Sequence, residues 1–137
     1  MIIDATNLIL GRMATYVAKG LLLGETIDIV NSEKAVITGD KQLILAKYLQ
    51  KVKRGIPLQG PYFPRTPERI VKRTIRGMLP HKRYKGKEAL KRVRCYIGLP
   101  KEFEGKNIET INNANIEKVA DANHITIKEL CNLLSNK

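Results

Sequence analysis

The first thirty residues switch hydrophobic period twice, and that switch restricts the fold more than any other feature of the chain. MIIDA and TIDIV are short apolar runs of the kind that form buried strands, whereas residues 11–23 between them, GRMATYVAKGLLL, repeat every three to four positions. On a helix this spacing gathers Met13, Ala14, Val17 and Leu21 on one face and turns Arg12 and Lys19 away. Gly24 follows where a helix C-terminus wants a glycine. The chain therefore opens β-α-β.

The punctuation beyond it is equally local. VNSEKAVITGDKQ holds a turn, a short strand at 35–37 and a Gly39-Asp40 lead into a helix that ends near Lys53, with Leu45, Tyr48, Leu49 and Val52 inward. Residues 54–65, RGIPLQGPYFPR, carry three prolines and two glycines, which predicts an irregular exposed loop with basic ends. Thr66-Pro67-Glu68 starts a helix with a capping hydroxyl, a proline at the first helical position and an acid in the first turn. That helix runs to Leu79, and Pro80 stops it. A loop at 81–86, a short helix at 87–93 and a strand at 94–97 follow. The tail from 101 to 137 is near-neutral and closes in a helix announced by Thr126 and Glu129 as a capping box, pinned by Leu130, Leu133 and Leu134. No internal repeat or low-complexity segment interrupts residues 1–137, and a chain of this length folds as one domain.

Charge is distributed far less evenly than hydrophobicity. The chain has 25 Lys and Arg against 13 Asp and Glu, a net +12. Residues 47–94 hold 16 of the bases and only two of the acids, Glu68 and Glu88, so this third of the chain carries the whole excess. Such localisation predicts a surface for a polyanion.

A helical wheel through residues 66–79 places Arg69, Lys72, Arg73 and Arg76 within an arc of about 100°, with Ile70, Val71, Thr74, Ile75 and Met78 around the other side. Solvated faces normally pair acids with bases, but Glu68 is the sole acid of this helix. Like charges at these spacings repel unless an anion neutralises them, and a phosphate backbone is such an anion. The surface continues through Lys53, Arg54 and Arg65 on one side and Lys82, Arg83, Lys85 and Lys87 on the other. His81 supplies a phosphate or hydroxyl donor rather than a catalyst, having no tuning carboxylate nearby. Gly77, at the flank of the arc, lets another backbone approach, either nucleic acid or a neighbouring helix. Tyr62 and Tyr84 can stack on unpaired bases, and Phe63 serves better as a loop anchor. Cations spread over loops and helices suit an uneven folded RNA better than a regular DNA groove.

Other classes fit poorly. After the first strand, TNLILGRMA has one glycine where a dinucleotide fold wants G-x-G-x-x-G, and no phosphate-binding P-loop follows. Asp4, Asp28 and Asp40 suit turns or caps rather than an acid-base pair, so no enzyme activity or small-molecule substrate is expected. Cys95 and Cys131 lie too far apart for a zinc pair, which leaves free buried thiols and no cofactor. His124 is structural. A membrane-surface helix would present a wide apolar face to lipid, whereas Ile70, Val71 and Ile75 are needed for the core. The start MIIDATN has neither a basic leader nor a long apolar run, so an intracellular protein is expected.

Three stretches carry a family resemblance: IDATNLILGRMATYVAKGLLLG, IVNSEKAVITG, and GPYFPRTPERIVKRTIRGMLPHKRYKGKEALKRVRCYIGLP. Together they resemble large-subunit ribosomal protein L-thirteen, in its archaeal and eukaryotic branch, over residues 2–100. RGMLPHK with Gly86 and YIGLP is the most specific element, and Arg76, Gly77, Met78, Leu79, Pro80, His81 and Lys82 fall in the family's signature segment. The resemblance implies a three-layer α/β/α sandwich with a small, mostly parallel sheet of about four strands. It also implies a cytoplasmic, non-enzymatic constituent of the large ribosomal subunit that binds large-subunit ribosomal RNA and aids early assembly, a monomer beside neighbouring ribosomal proteins. The long C-terminal extension of eukaryotic members has no counterpart, so its functions do not transfer. A free-standing RNA-binding translational regulator is the alternative that composition leaves open.

Overall fold

In the computed structural model, which describes residues 1–119 and 123–135, the opening residues form strand β1 (Ile2–Asp4), helix α1 (Leu10–Leu22) and strand β2 (Ile27–Val30). The 13-residue helix is long enough to carry the chain back, and β1 and β2 pair in parallel with Ile3 opposite Ile29. Met13, Ala14, Val17 and Leu21 are buried, and Arg12 and Lys19 are exposed. Gly24, at φ 98°, donates its N–H to the Leu21 carbonyl, while the Glu25 N–H reaches Gly20. This paired closure at the helix end requires a left-handed residue.

All four expected strands form, but not in one sheet. Strand β4 (Val93–Cys95) joins the other edge of β2, giving the parallel order β1-β2-β4. Strand β3 (Val36–Thr38) instead pairs antiparallel with β5 (His124–Thr126), a strand that local patterning does not reveal. With β1 and β4 on its two sides, β2 has no edge left for β3, and the outer edge of β1 is taken by Glu109, which exchanges backbone hydrogen bonds with Ile2 and Asp4. The fold is α/β, with a small parallel sheet and a two-stranded antiparallel one.

Within the parallel sheet, Ile3, Ile27, Ile29 and Val93 are buried, whereas Asp28 and Arg94, opposite one another, face the other side. Helix α1 packs against helix α3 (Pro67–Gly77) and helix α4 (Tyr84–Lys91), and α3 packs on β4. Ile70, Val71 and Ile75 enter this core with Met13 and Leu21. A second cluster of Ile44, Ile125, Leu130 and Leu134 joins helix α2 (Lys41–Lys53) to helix α5 (Ile127–Ser135). In α2 the buried residue is Ile44, and the expected Leu45, Tyr48, Leu49 and Val52 pack around it half-buried. Asp40 caps α2 by accepting the Gln42 N–H at 2.8 Å, and the Thr126 hydroxyl accepts the Glu129 N–H at 3.2 Å, one half of the expected box.

The stretch from the start of α3 to the start of α4 differs from expectation in four details. Thr66 occupies the N-cap position of α3, but its hydroxyl makes no capping bond. The helix ends at Gly77, two residues early, because the Met78 and Leu79 N–H groups turn back to the Ile75 and Arg76 carbonyls. Met78, expected inward, is 42% exposed. Helix α4 begins at Tyr84 rather than at Lys87, so Tyr84, Lys85 and Gly86 belong to a helical turn. Gly86 explains the early start, because a Cβ there would overlap the Pro80 backbone, and only a glycine lets α4 fold directly onto the turn that precedes it. At the far end of α4, the Arg92 guanidinium donates to the Leu21 carbonyl at 2.7 Å and ties the helix to the C-terminus of α1. No described helix is long and apolar enough to cross a membrane.

Candidate nucleic-acid interface

Because Ile70, Val71 and Ile75 face the core, the opposite side of α3 must carry Arg69, Lys72, Arg73 and Arg76 outward; the first three are exposed and Arg76 is half-exposed. The ridge has a hollow on each flank. On one side Arg73 and Gly77 border a cleft of about 590 Å³ that also takes in Lys51, Arg54, Tyr62 and Phe63. On the other, Lys72 shares a shallower depression with Tyr84, Lys87 and Lys91 of α4. Segments far apart in sequence thus converge on one helix.

The charge on this surface is scarcely neutralised by the protein. Among the described residues the ion pairs are Lys41 with Glu129 at 3.5 Å and Lys91 with Glu88 at 3.2 Å, and neither involves α3. Glu68, the one acid of the helix, is half-buried with its Oε2 atom shut away from solvent, so it offers little to the outward arginines. Lys51 lies 5.0 Å above the Tyr48 ring and 5.5 Å from the Phe63 ring, which meet edge to face at 5.8 Å. Partial burial lowers the pKa of its ammonium, and the neighbouring charges of Lys47, Arg54 and Arg73 push it the same way. A cluster in which cations repel one another is a site that an anion would relieve.

Patterning along the chain singles out Lys53 and passes over Lys51. The spacing Lys47, Lys51, Arg54 along α2 holds the missed signal, since these positions share one helix face. Lys53 lies about 160° round the helix from Lys51 and is exposed elsewhere. Arg65 is exposed at the end of the loop, and Lys82 and Arg83 are exposed on the turn between α3 and α4, where His81 is half-buried. Lys85 and Lys87 are exposed on α4 beside Tyr84, which is 79% exposed. Tyr62 is 72% exposed, and its hydroxyl donates to the Pro57 carbonyl. Phe63 anchors the loop on Tyr48. Gly77 has nothing within 4 Å of where a Cβ would stand, so no neighbouring helix among the described residues explains it.

A roomier hollow lies elsewhere, between α1 and residues 110–114, lined by Arg12, Tyr16 and Lys19. It adds two cations outside residues 47–94, but fewer than meet along α3.

Asp4 accepts hydrogen bonds from the Thr6 N–H, the Thr6 hydroxyl and the Asn31 amide, and Asp40 caps α2, so both carboxylates are engaged in local structure. Among the described residues no group of three or more His, Cys, Asp or Glu could hold a metal ion. Cys95 and Cys131 are free thiols.

Comparison with known proteins shows the family. The family model described as Ribosomal protein L13 matches residues 1–102, which include both hollows along α3. Proteins named large ribosomal subunit protein uL13 match over nearly the whole chain. The one from Archaeoglobus fulgidus is 48% identical over 134 residues, covering 97% of this chain and 86% of the relative. That from Methanosarcina barkeri is 45% identical, covering 99% and 98%, and that from Methanococcoides burtonii 43%, again covering 99% and 98%. The likeness therefore extends through the tail beyond residue 102. With the family model matching residues 1–102 and relatives 43–48% identical over nearly the whole chain, the chain belongs to the ribosomal protein L13 family.

Proposed function

We propose that this protein is a structural constituent of the large ribosomal subunit that binds large-subunit ribosomal RNA through the α3 ridge and its flanking hollows, and that it acts early in subunit assembly. Its family is one of ribosomal proteins, not of enzymes. The observation that carries the reading is the ridge of Arg69, Lys72, Arg73 and Arg76, which no carboxylate of the described residues pairs.

The mechanism is electrostatic and steric. RNA helices brought together repel through their phosphates, and a rigid cationic wedge between them offsets that repulsion. Arginine suits the contact points because its planar fork holds two phosphate oxygens at once. Burial of Ile70, Val71 and Ile75 keeps the ridge from bending, and Gly86 keeps α4 beside it. The protein works as a monomer and a single domain, in the cytoplasm, beside other ribosomal proteins. The tail packs through Phe103, Ala114, Ile125 and Leu130.

Sedimentation of a cell extract tests the assignment. The protein should travel with large subunits at high magnesium and be released by ribonuclease; recovery in the light fractions would argue instead for a free-standing regulator.

A further inference from the structure

We infer that the cleft between the end of α2, the loop 54–65 and α3 takes a single unpaired nucleotide extruded from the RNA, its base against Tyr62 and its phosphate among Lys51, Arg54 and Arg73. The inference rests on the RNA-binding reading above and adds which part of an RNA enters.

Size comes first. The cleft, about 590 Å³, lies within the range of pockets that hold small ligands, and it is larger than a phosphate needs. Its walls divide by chemistry. Lys51, Arg54 and Arg73 converge from α2 and α3 without a carboxylate partner among the described residues, while Tyr62 and Phe63 present rings. Phe63 is spoken for by Tyr48 and Lys51. Tyr62 has no such ring partner among the described residues, and its hydroxyl, bonded to the Pro57 carbonyl, fixes the ring instead of letting it swing. A largely exposed, tethered ring beside unpaired cations is the arrangement by which proteins hold unstacked bases.

Gly77 supplies the space. It occupies the last position of α3, its backbone needs no left-handed conformation, and nothing lies within 4 Å of its missing side chain. Neither strain nor packing calls for glycine there, whereas an open wall in a ligand cleft does. A continuous duplex would engage the cations through its backbone but would bring no base face to Tyr62. The hollow on the other flank of α3 is a poorer host, because Lys91 is already paired with Glu88.

The test uses the full chain and two RNA hairpins of the same sequence, one with a single bulged 2-aminopurine and one fully paired. The bulged hairpin should bind about tenfold more tightly, in keeping with base stacking on an aromatic ring, and its fluorescence should fall on binding. Tyr62→Ala should erase that preference, and Tyr62→Phe, which keeps the ring but loses its tether to Pro57, should reduce it without erasing it. Gly77→Leu should erase it without lowering the melting temperature, since a Cβ there meets nothing within 4 Å. Lys51→Gln with Arg73→Gln should weaken both hairpins alike. Equal affinity for the two hairpins, or a preference that survives both Tyr62→Ala and Gly77→Leu, overturns the inference and leaves RNA binding intact. Binding of neither hairpin above a non-specific level overturns the RNA reading and this inference together.

Discussion

Gly86 lies so close to the Pro80 backbone that a Cβ at position 86 would overlap the Pro80 carbonyl oxygen. The contact fixes the angle at which α4 leaves the turn, and with it the placement of Tyr84, Lys85 and Lys87 beside α3. Gly86→Ala should therefore destabilise the fold by about 1–3 kcal/mol, the usual cost of overpacking. Gly77→Ala should do the opposite: its Cβ meets nothing, and alanine is favoured over glycine in a helix by up to about 1 kcal/mol. Thermal melting of the two variants separates the cases, and melting of Gly86→Ala at the wild-type temperature would contradict the geometry.

The contrast between these glycines also shows what the sequence could disclose. Gly86 reads as part of a loop because local signals report only that glycine weakens a helix, whereas its role depends on the backbone of Pro80, which lies outside its own helix. Strand β5 escapes for a similar reason. His124, Ile125, Thr126 and Ile127 do alternate, but over too few positions before α5 begins to read as a strand, and they become one by pairing with β3 from far along the chain. Helix α3 is legible because its apolar and cationic residues segregate within eleven consecutive positions. The ridge can be drawn on a wheel, but the cleft beside it cannot, since Lys51, Tyr62 and Arg73 meet only when α2, the loop and α3 fold together.

Arg73→Glu combined with Arg76→Glu should leave the isolated fold intact and abolish incorporation into large subunits. Arg73 is exposed and Arg76 half-exposed, so neither change buries a charge. Circular dichroism checks the fold and sedimentation in cell extracts checks incorporation; normal incorporation would remove α3 from the interface.

The two thiols should be unreactive in the native protein. Burial pushes Cys131 up to about 11 and Cys95 up to about 12, from an ordinary 9.0, with Glu68 adding to both and Lys72 opposing at Cys95. Alkylation by iodoacetamide near pH 8 should be slow until the chain is unfolded. Because the folded values are raised, the stability linked to these thiols is fully present below the ordinary value and is lost as pH rises from about 9 through the folded values. Urea titrations at pH 8 and pH 10 should show that decline, and rapid labelling of native protein would contradict it.

Asp4 should give the opposite dependence. Burial raises its pKa, but the hydrogen bonds from the Thr6 hydroxyl and N–H and from Asn31, with the charge of Lys34, outweigh that and hold it below the ordinary 3.8. Its stabilising contribution is present above the ordinary value and disappears as pH falls through the lower folded one. Asp4→Ala should cost about 1–3 kcal/mol at pH 7 by leaving those donors unsatisfied, and the gap to wild type should narrow in acid. Equal gaps in urea unfolding at pH 7 and pH 3 would mean that the carboxylate charge contributes nothing.

Lys51 and Lys53 differ by two positions and should differ in what they do to RNA binding. Lys51 lies in the cleft among Arg54 and Arg73, whereas Lys53 points away from it across the helix. On a logarithmic salt plot, removing one cation that neutralises a phosphate reduces the steepness with which the binding constant falls by about one unit. Lys51→Gln should therefore flatten the plot by about one, and Lys53→Gln should leave it close to wild type, although both remove the same charge. Were net charge alone responsible for binding, the two variants would behave identically. A difference between them would require that the RNA be held at one place, and that place would be the side of α2 that borders the cleft with Arg73.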